Sequence, residues 1–465
     1  MILVAHSFYL RRDGKQFERS RPYAPLATLL AAAILREQGH AVALFDATFE
    51  PCVESFTTRL EAEAPKVVLL IEDNFNYLTK MCTEDRRADA LHMVAAARSA
   101  GARVVVNGPD ASDNPRLYLD AGADAVMTGE GELGAAAIVD ALERGLPLDK
   151  VPGLILCDGQ GGLRHTPPRL QHQALDALPF PAWDLVDAQA YRETWTRAHG
   201  RLSWNMAASR GCPYACNWCA KPTFGRRYTQ RSAASIAEEM ARLKHAVAPD
   251  HVWFADDIFG MTEDWIAAFA EEVLRRDACI PFMMQSRANL ITEPVAAALA
   301  RAGAEEVWLG VESGSQRILD AMDKGTQIES VRTATRTLRR HGIRSGWFLQ
   351  LGYPPEDWED ILLTRDLLRD ERPDEIGVSV SYPLPGTVFH ARVVAELGAR
   401  RNWRDTDELA MLFQGTFDTA FYRLVRDALH ADVGAGMVDE LRWRDLAQRA
   451  DAHRSASPLR MELRA

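Results

Sequence analysis

Long apolar runs are missing from this 465-residue chain. The longest, Leu26 to Leu35, is well short of the roughly 20 residues a bilayer-spanning helix needs. Positive charge is also short. There are 54 Lys and Arg against 65 Asp and Glu, a net charge of −11, and no arginine-rich block or basic tail. That balance argues against a nucleic-acid partner. The first residues, Met1 to Phe8, read as a strand, with no basic stretch or cleavage site ahead of it. These absences lead to the expectation of a soluble, cytoplasmic protein with no membrane span. Cysteine is scarce and odd in number. Of seven, Cys52, Cys82, Cys157 and Cys279 are scattered and three are clustered, which is not a disulfide framework.

What is present is ordinary globular material, 47% hydrophobic and 26% charged, enough for two or three domains. Residues 1–145 alternate short apolar strands (Ile2–Ala5, Ala41–Phe45, Val67–Ile71, Arg103–Val106, Ala123–Met127) with amphipathic helices. Strands and helices of this length predict right-handed βαβ units and a doubly wound parallel sheet, an α/β domain. Ligands of such sheets bind beyond the carboxyl ends of the strands. Those ends carry His6, Ser7 and Phe8; Glu72, Asp73, Asn74, Phe75 and Asn76; Asn107, Gly108, Pro109 and Asp110; and Thr128, Gly129, Glu130, Gly131 and Glu132. Their glycines suit close backbone approach to a ligand.

Residues 146–197 read as a connector, rich in proline at 147, 152, 167, 168, 179 and 181. From 198 to 420 a second βα series predicts six strands, Trp204–Ala208, Val252–Ala255, Phe282–Gln285, Val307–Val311, Ser345–Leu351 and Ile376–Val380. Helical patterns separate them. Six units are too few for an eight-fold barrel and suit a partial (β/α)6 one, with functional groups on the loops after each strand. Residues 421–465 read as a helical tail.

The loop after the first strand of this series holds Cys212, Cys216 and Cys219. Thiolates favour iron–sulfur clusters, zinc or copper(I). A closed zinc or iron–sulfur site takes four protein ligands, yet there is no second Cys-x2-Cys and no Cys/His pair at finger spacing. Three ligands on one loop suggest a 4Fe-4S cluster with one iron open to a small molecule. Two plainer readings stand beside it: Cys216 and Cys219 as a redox pair, or a zinc site completed from far along the chain.

Cys-x3-Cys-x-Trp218-Cys resembles the signature of radical S-adenosylmethionine (SAM) enzymes, and its strand-then-βα context agrees. The resemblance implies that the open iron chelates the amino and carboxylate groups of SAM. One electron then yields a 5′-deoxyadenosyl radical, which takes hydrogen from a substrate. It also implies a contact from Asp256 or Asp257 to the SAM amino group, beside a plain turn-capping role. Arg287 is implied at the SAM carboxylate, or as a structural salt-bridge arginine. Glu312, in Gly310-Val-Glu-Ser-Gly314, is implied at the ribose hydroxyls, which would partner a buried carboxylate. Ser313 with Gln316 reads as a capping box. Gly352 is implied beside adenine. Tyr382 is the candidate catalytic donor of a proton or hydrogen, or else a pocket wall.

A doubly wound domain ahead of such a barrel resembles the cobalamin-binding architecture. The resemblance extends over residues 1–145 and, with the barrel, to about 420. It implies that Gly108, Thr128, Gly129, Glu130 and Gly131 line the cofactor, with Asn74 and Asn76 at its lower face. One departure stands out. The Asp-x-His-x-x-Gly motif that supplies a lower cobalt ligand is absent, and His6 reads as a loop residue. Segments 73–82 and 402–416 are similar to a branch of anaerobic magnesium-protoporphyrin ester cyclases and radical C-methylases. The implied protein uses a 4Fe-4S cluster, SAM and cobalamin on a small-molecule substrate, by C-methylation, oxidative cyclisation or rearrangement. Its electrons would come from a partner such as flavodoxin or ferredoxin. An empty docking module at the N-terminus and a non-enzymatic electron carrier or redox sensor are the other readings.

Overall fold

A computed structural model describes residues 1–75, 83–169, 174–220, 225–398, 402–403 and 410–456. Asn76 lies outside the described residues. The first sheet has seven strands in the order β2-β1-β3-β4-β5-β6-β7. Five are parallel: β1 (Ile2–Ala5), β2 (Val42–Phe45), β3 (Val67–Ile71), β4 (Arg103–Asn107) and β5 (Ala125–Met127). β3 is Val-Val-Leu-Leu-Ile and buried at every position, as a strand covered on both faces must be.

The connector contributes structure that its prolines conceal. β6 (Leu154–Cys157) and β7 (Leu163–His165) form an antiparallel hairpin that extends this sheet. The apolar run Leu154-Ile155-Leu156 is what the sheet edge gathers in. The helix Ala188–His199 follows, N-capped by Asp187.

The second sheet is parallel throughout, in the order β15-β14-β13-β12-β11-β8. Its strands are β8 (Ser203–Met206), β11 (His251–Phe254), β12 (Phe282–Ser286), β13 (Ala304–Glu312), β14 (Arg344–Leu351) and β15 (Glu375–Val380). They match the six predicted strands and curl into a half-barrel. β9 (Ser209–Arg210) and β10 (Thr229–Gln230) make a small antiparallel ribbon beneath the cysteine loop. The expected capping box is not formed. The helix Gln316–Ala321 is N-capped at Ser315, and Ser313 Oγ instead accepts the Ser315 N–H at 3.1 Å. Two helices, Thr419–Ala435 and Glu440–Ala456, close the C-terminal side. Among the described residues no helix is long and apolar enough to cross a membrane.

The two units share their interiors. Ala207, Trp253 and Ala255 of the half-barrel belong to one core of the first sheet, and Ala24, Leu29 and Leu44 belong to the barrel core. The helix Leu26–Glu37 sits between them, and nine of its twelve residues are buried. Its composition, Leu and Ala on almost every face, is what such a sandwiched position requires.

Candidate active site

The cysteine loop leaves β9 and runs over the carboxyl edge of the half-barrel. Cys212 is buried, while Cys216 and Cys219 are partly exposed. The loop is pinned by Asn217, which is 3% exposed. Its amide Nδ2 donates to Ala321 O at 2.8 Å and to Asp323 Oδ2 at 2.9 Å. Its Oδ1 accepts from the Tyr353 hydroxyl at 2.6 Å. Its backbone N–H donates to Met322 O at 3.1 Å, and its carbonyl accepts from Phe389 N at 2.9 Å. Every polar group of one residue is thereby spent on holding the loop. Sequence reading gave Asn217 no role, because nothing in a four-letter loop segment announces partners more than a hundred residues away.

Cys212, Cys216 and Cys219 stand on this one loop as thiols, not disulfides, and three cysteines there suit a 4Fe-4S cluster in which each thiolate takes its own iron.

Arg287, 4% exposed, lies against this loop. Its Nη1 is 3.6 Å from Cys216 Sγ, and its guanidinium stacks over Tyr214 at 3.8 Å. Nη2 donates to Lys324 O and to Thr326 Oγ1. Arg287 therefore fastens the loop and lends positive charge to a thiol. Trp218 is half-buried against the barrel core, and its ring is 6.0 Å from Lys324 Nζ.

Asp256 closes β11 and is 2% exposed. Its carboxylate accepts the Ala208 N–H at 3.0 Å and the Ser209 hydroxyl at 2.5 Å. Burial pushes its pKa up to about 7. It ties β11 to the strand that feeds the cysteines, a third role beside the two expected of it. Asp257, next in the chain, is half-buried.

Glu312 ends β13 at a break in register, with φ of +66°. A non-glycine residue there is strained by about 1–3 kcal/mol and is characteristic of functional sites. Its buried carboxylate already has a partner, contrary to the expectation that a ribose supplies one. Lys324 Nζ reaches Oε1 at 2.7 Å, and both side chains are almost fully buried. Gly310 makes room, since a Cβ there would lie 2.7 Å from Nζ. Lys324 was not legible as a site residue.

Gly352 has φ of +78°, and a Cβ there would meet Met411 Sδ at 2.4 Å and Tyr422 at 3.2 Å. The close packing of the chain on that side requires glycine. Its N–H donates to Glu356 Oε2 at 2.6 Å. Burial pushes the Glu356 pKa from 4.5 up to about 8. The folded chain thus keeps a proton that the unfolded chain gives up, and stability falls as pH rises through that window. Glu356→Gln keeps an acceptor and removes the titration. Between pH 6 and pH 9 the unfolding free energy from urea titration should fall for the parent by on the order of 3 kcal/mol more than for the variant. Equal falls would exclude this group as the cause. Tyr382 is half-buried and packs edge-on to Trp403 at 5.0 Å.

Across the interface, the ends of β3, β4 and β5 are cross-linked. Asn107 Nδ2 donates to Met127 O at 2.8 Å and Gly129 O at 3.1 Å. Its Oδ1 accepts from Asn74 Nδ2 at 3.0 Å. That chain of bonds fixes both amide orientations and leaves Asn74 Oδ1 buried with no hydrogen-bond partner. Any side chain at Gly131 would strike Asn107, 2.1 Å from a built Cβ. Gly108 lies against Glu72, 3.0 Å from a built Cβ. Thr128 is tied to Gly153 O through N–H and hydroxyl. A glycine-lined rim with an orphaned amide oxygen fits a large ligand with many amide groups, such as a corrin. His6 is not poised as a cobalt ligand. Its Nε2 meets Asp46 at 2.9 Å, and its Nδ1 accepts from Phe8 N at 3.2 Å. Glu130 and Glu132 meet Arg210 of the cysteine strand at 3.2 and 2.9 Å. A narrow interdomain cleft beside them is lined by Leu26, Leu30 and Phe75 from one unit and Ala207, Ser209 and Arg210 from the other.

This fold, with three thiols at the barrel mouth and a glycine-lined rim on the facing domain, defines an enzyme built to bring two cofactors together. Family models agree: residues 206–368 match the radical SAM superfamily and residues 19–139 the B12 binding domain. The chain belongs to the cobalamin-binding radical SAM enzymes. A Pyrococcus horikoshii protein described as an uncharacterized methyltransferase is 27% identical over 384 residues, 82% of this chain and 81% of that one. The hopanoid C-3 methylase of Methylococcus capsulatus is 28% identical over 378 residues, 78% of this chain and 67% of that one. The radical SAM methyltransferase TsrM from Kitasatospora setae, solved with cobalamin and a [4Fe-4S] cluster, shares the fold. Its TM-score is 0.69 at 20% identity, over 86% of this chain and 76% of that one.

Proposed function

We propose that this enzyme methylates an unactivated carbon of a small molecule. The observation that carries it is the joining of a three-thiol loop to a glycine-lined, amide-rich rim across one interface. When bound, the cluster supplies the electron that cleaves SAM to a carbon-centred radical, and cobalamin supplies the methyl group. Cys212, Cys216 and Cys219 would hold the cluster. Asn217, Arg287 and Asp256 fix the loop from three sides, so that the thiols stay in place when the charge of the site changes. Glu312, oriented by its contact with Lys324, retains one oxygen for the ribose. The corrin would lie on Gly108, Thr128, Gly129, Glu130 and Gly131, with Asn74 toward its lower face. Asn76 is a further candidate there. Thiolate ligands must stay reduced, which suits a cytoplasmic setting with a flavodoxin- or ferredoxin-like donor.

The test is mass spectrometry of SAM products after anaerobic incubation with reductant, hydroxocobalamin and candidate substrates. 5′-Deoxyadenosine and S-adenosylhomocysteine are both expected, and both should vanish with Cys216→Ala. Deoxyadenosine alone would replace methylation by cyclisation or rearrangement. Neither product, from iron-loaded protein, would favour an electron carrier.

A further inference from the structure

Arg210 stands two residues before Cys212. It also points out of the half-barrel into the other domain. Its Nη1 lies 2.9 Å from Glu132 Oε1 and 3.2 Å from Glu130 Oε1, and its guanidinium lies over the Phe75 ring at 5.6 Å. The three side chains are 5%, 0% and 8% exposed for Arg210, Glu132 and Glu130. The two carboxylates flank Gly131 at the head of the helix Gly131–Glu143. A second cation, Arg169, donates to Glu130 O at 2.7 Å. Two acids and Arg210 are therefore enclosed at the joint, with Arg169 at their edge.

As adhesive this is a poor choice. Two carboxylates have been taken out of water, and Glu130 Oε1 and both Glu132 oxygens accept no well-aligned hydrogen bond. An apolar contact of the same size would commonly hold as well or better. What an ion cluster offers and an apolar contact lacks is direction: it responds to where Arg210 is held. The backbone of Arg210 is fixed by pairing with Thr229 and, one residue back, by the Ser209–Asp256 bond. On its other side lies the cysteine loop.

We propose that the Arg210–Glu130–Glu132 cluster couples the two cofactor sites, so that ordering the cysteine loop on iron tightens cobalamin binding at the Gly129–Gly131 rim, and the reverse. This rests on the cobalamin reading above. Arg210 and Glu132 are then positioning residues: they touch the segments that hold the cofactors and act through them. Reciprocity is a thermodynamic requirement, and couplings of this kind are typically about 5- to 150-fold.

The test titrates hydroxocobalamin into the full chain twice, once with its iron–sulfur cluster reconstituted and once after the iron is stripped by chelation. Binding is read by equilibrium dialysis, with no turnover involved. The parent should bind about tenfold more tightly with the cluster present. Glu132→Gln, nearly isosteric, should bring that ratio close to one while iron content stays the same. Arg210→Lys, which keeps charge but loses the fork, should fall between. A purely structural ion cluster would lower stability and leave the ratio unchanged. An unchanged ratio in Glu132→Gln, or a parent ratio of one that needs no variant to measure, overturns the coupling alone. No binding in either state overturns the cobalamin reading and the coupling with it.

Discussion

Lys324→Met should destabilise the chain by about 3–5 kcal/mol, because it strands the Glu312 carboxylate in a buried site without its Lys324 partner. Methionine nearly fills the volume, so a cavity is not the cause. The same change should weaken SAM binding, since the carboxylate loses the group that orients it. The double variant Lys324→Met/Glu312→Gln separates these effects. It should regain most of the lost stability, as replacing both members of a buried pair often does, while SAM affinity stays low. Denaturant unfolding gives the first quantity. The SAM-induced change in the cluster's paramagnetic resonance spectrum gives the second. A single variant as stable as its parent would show that the Lys324–Glu312 pair adds nothing to stability.

Asn217→Ala should release the cysteine loop. The substitution removes the donor for Ala321 O and Asp323 and the acceptor for Tyr353. Groups left buried and unpaired cost about 1–3 kcal/mol each, but Asp323 and the Tyr353 hydroxyl can turn to other partners. A net loss of about 3 kcal/mol is therefore expected. The functional consequence is sharper: reconstituted protein should retain well under half of its iron after desalting, with all three cysteines intact. Iron retention equal to the parent would mean that the thiols hold the cluster without help from the loop's anchors.

Much of this site is visible before any coordinates are considered, and the reason is local. Cysteine spacing lies within one loop, and a strand buried on both faces, such as Val67–Ile71, declares itself by composition. What stays hidden is pairing through space. Lys324 lies twelve residues beyond Glu312 on a separate turn, and Arg210 reads as one more residue before a glycine. The hairpin of β6 and β7 was concealed by flanking prolines that suit a connector equally well. Gly352 illustrates a different limit. It was legible as a place of close approach, but the Met411 and Tyr422 side chains that lie against it come from some sixty and seventy residues later. The residues whose roles shifted most, Glu312 and Asp256, both end parallel strands. There a side chain can face a ligand or a neighbouring loop, and only the packing decides which.

The sandwiched helix Leu26–Glu37 and the exchanged core residues bear on how this molecule melts. Units that each lend side chains to the other's interior have no dividing plane along which to part. Calorimetry of the ligand-free chain should therefore record one cooperative transition and not two. A protease should find no stable barrel to release, since cutting one away would bare Ala24, Leu29 and Leu44 on one piece and Ala207, Trp253 and Ala255 on the other. Substrate entry is then expected at the interdomain cleft and the loops at the strand ends, without the two sheets coming apart.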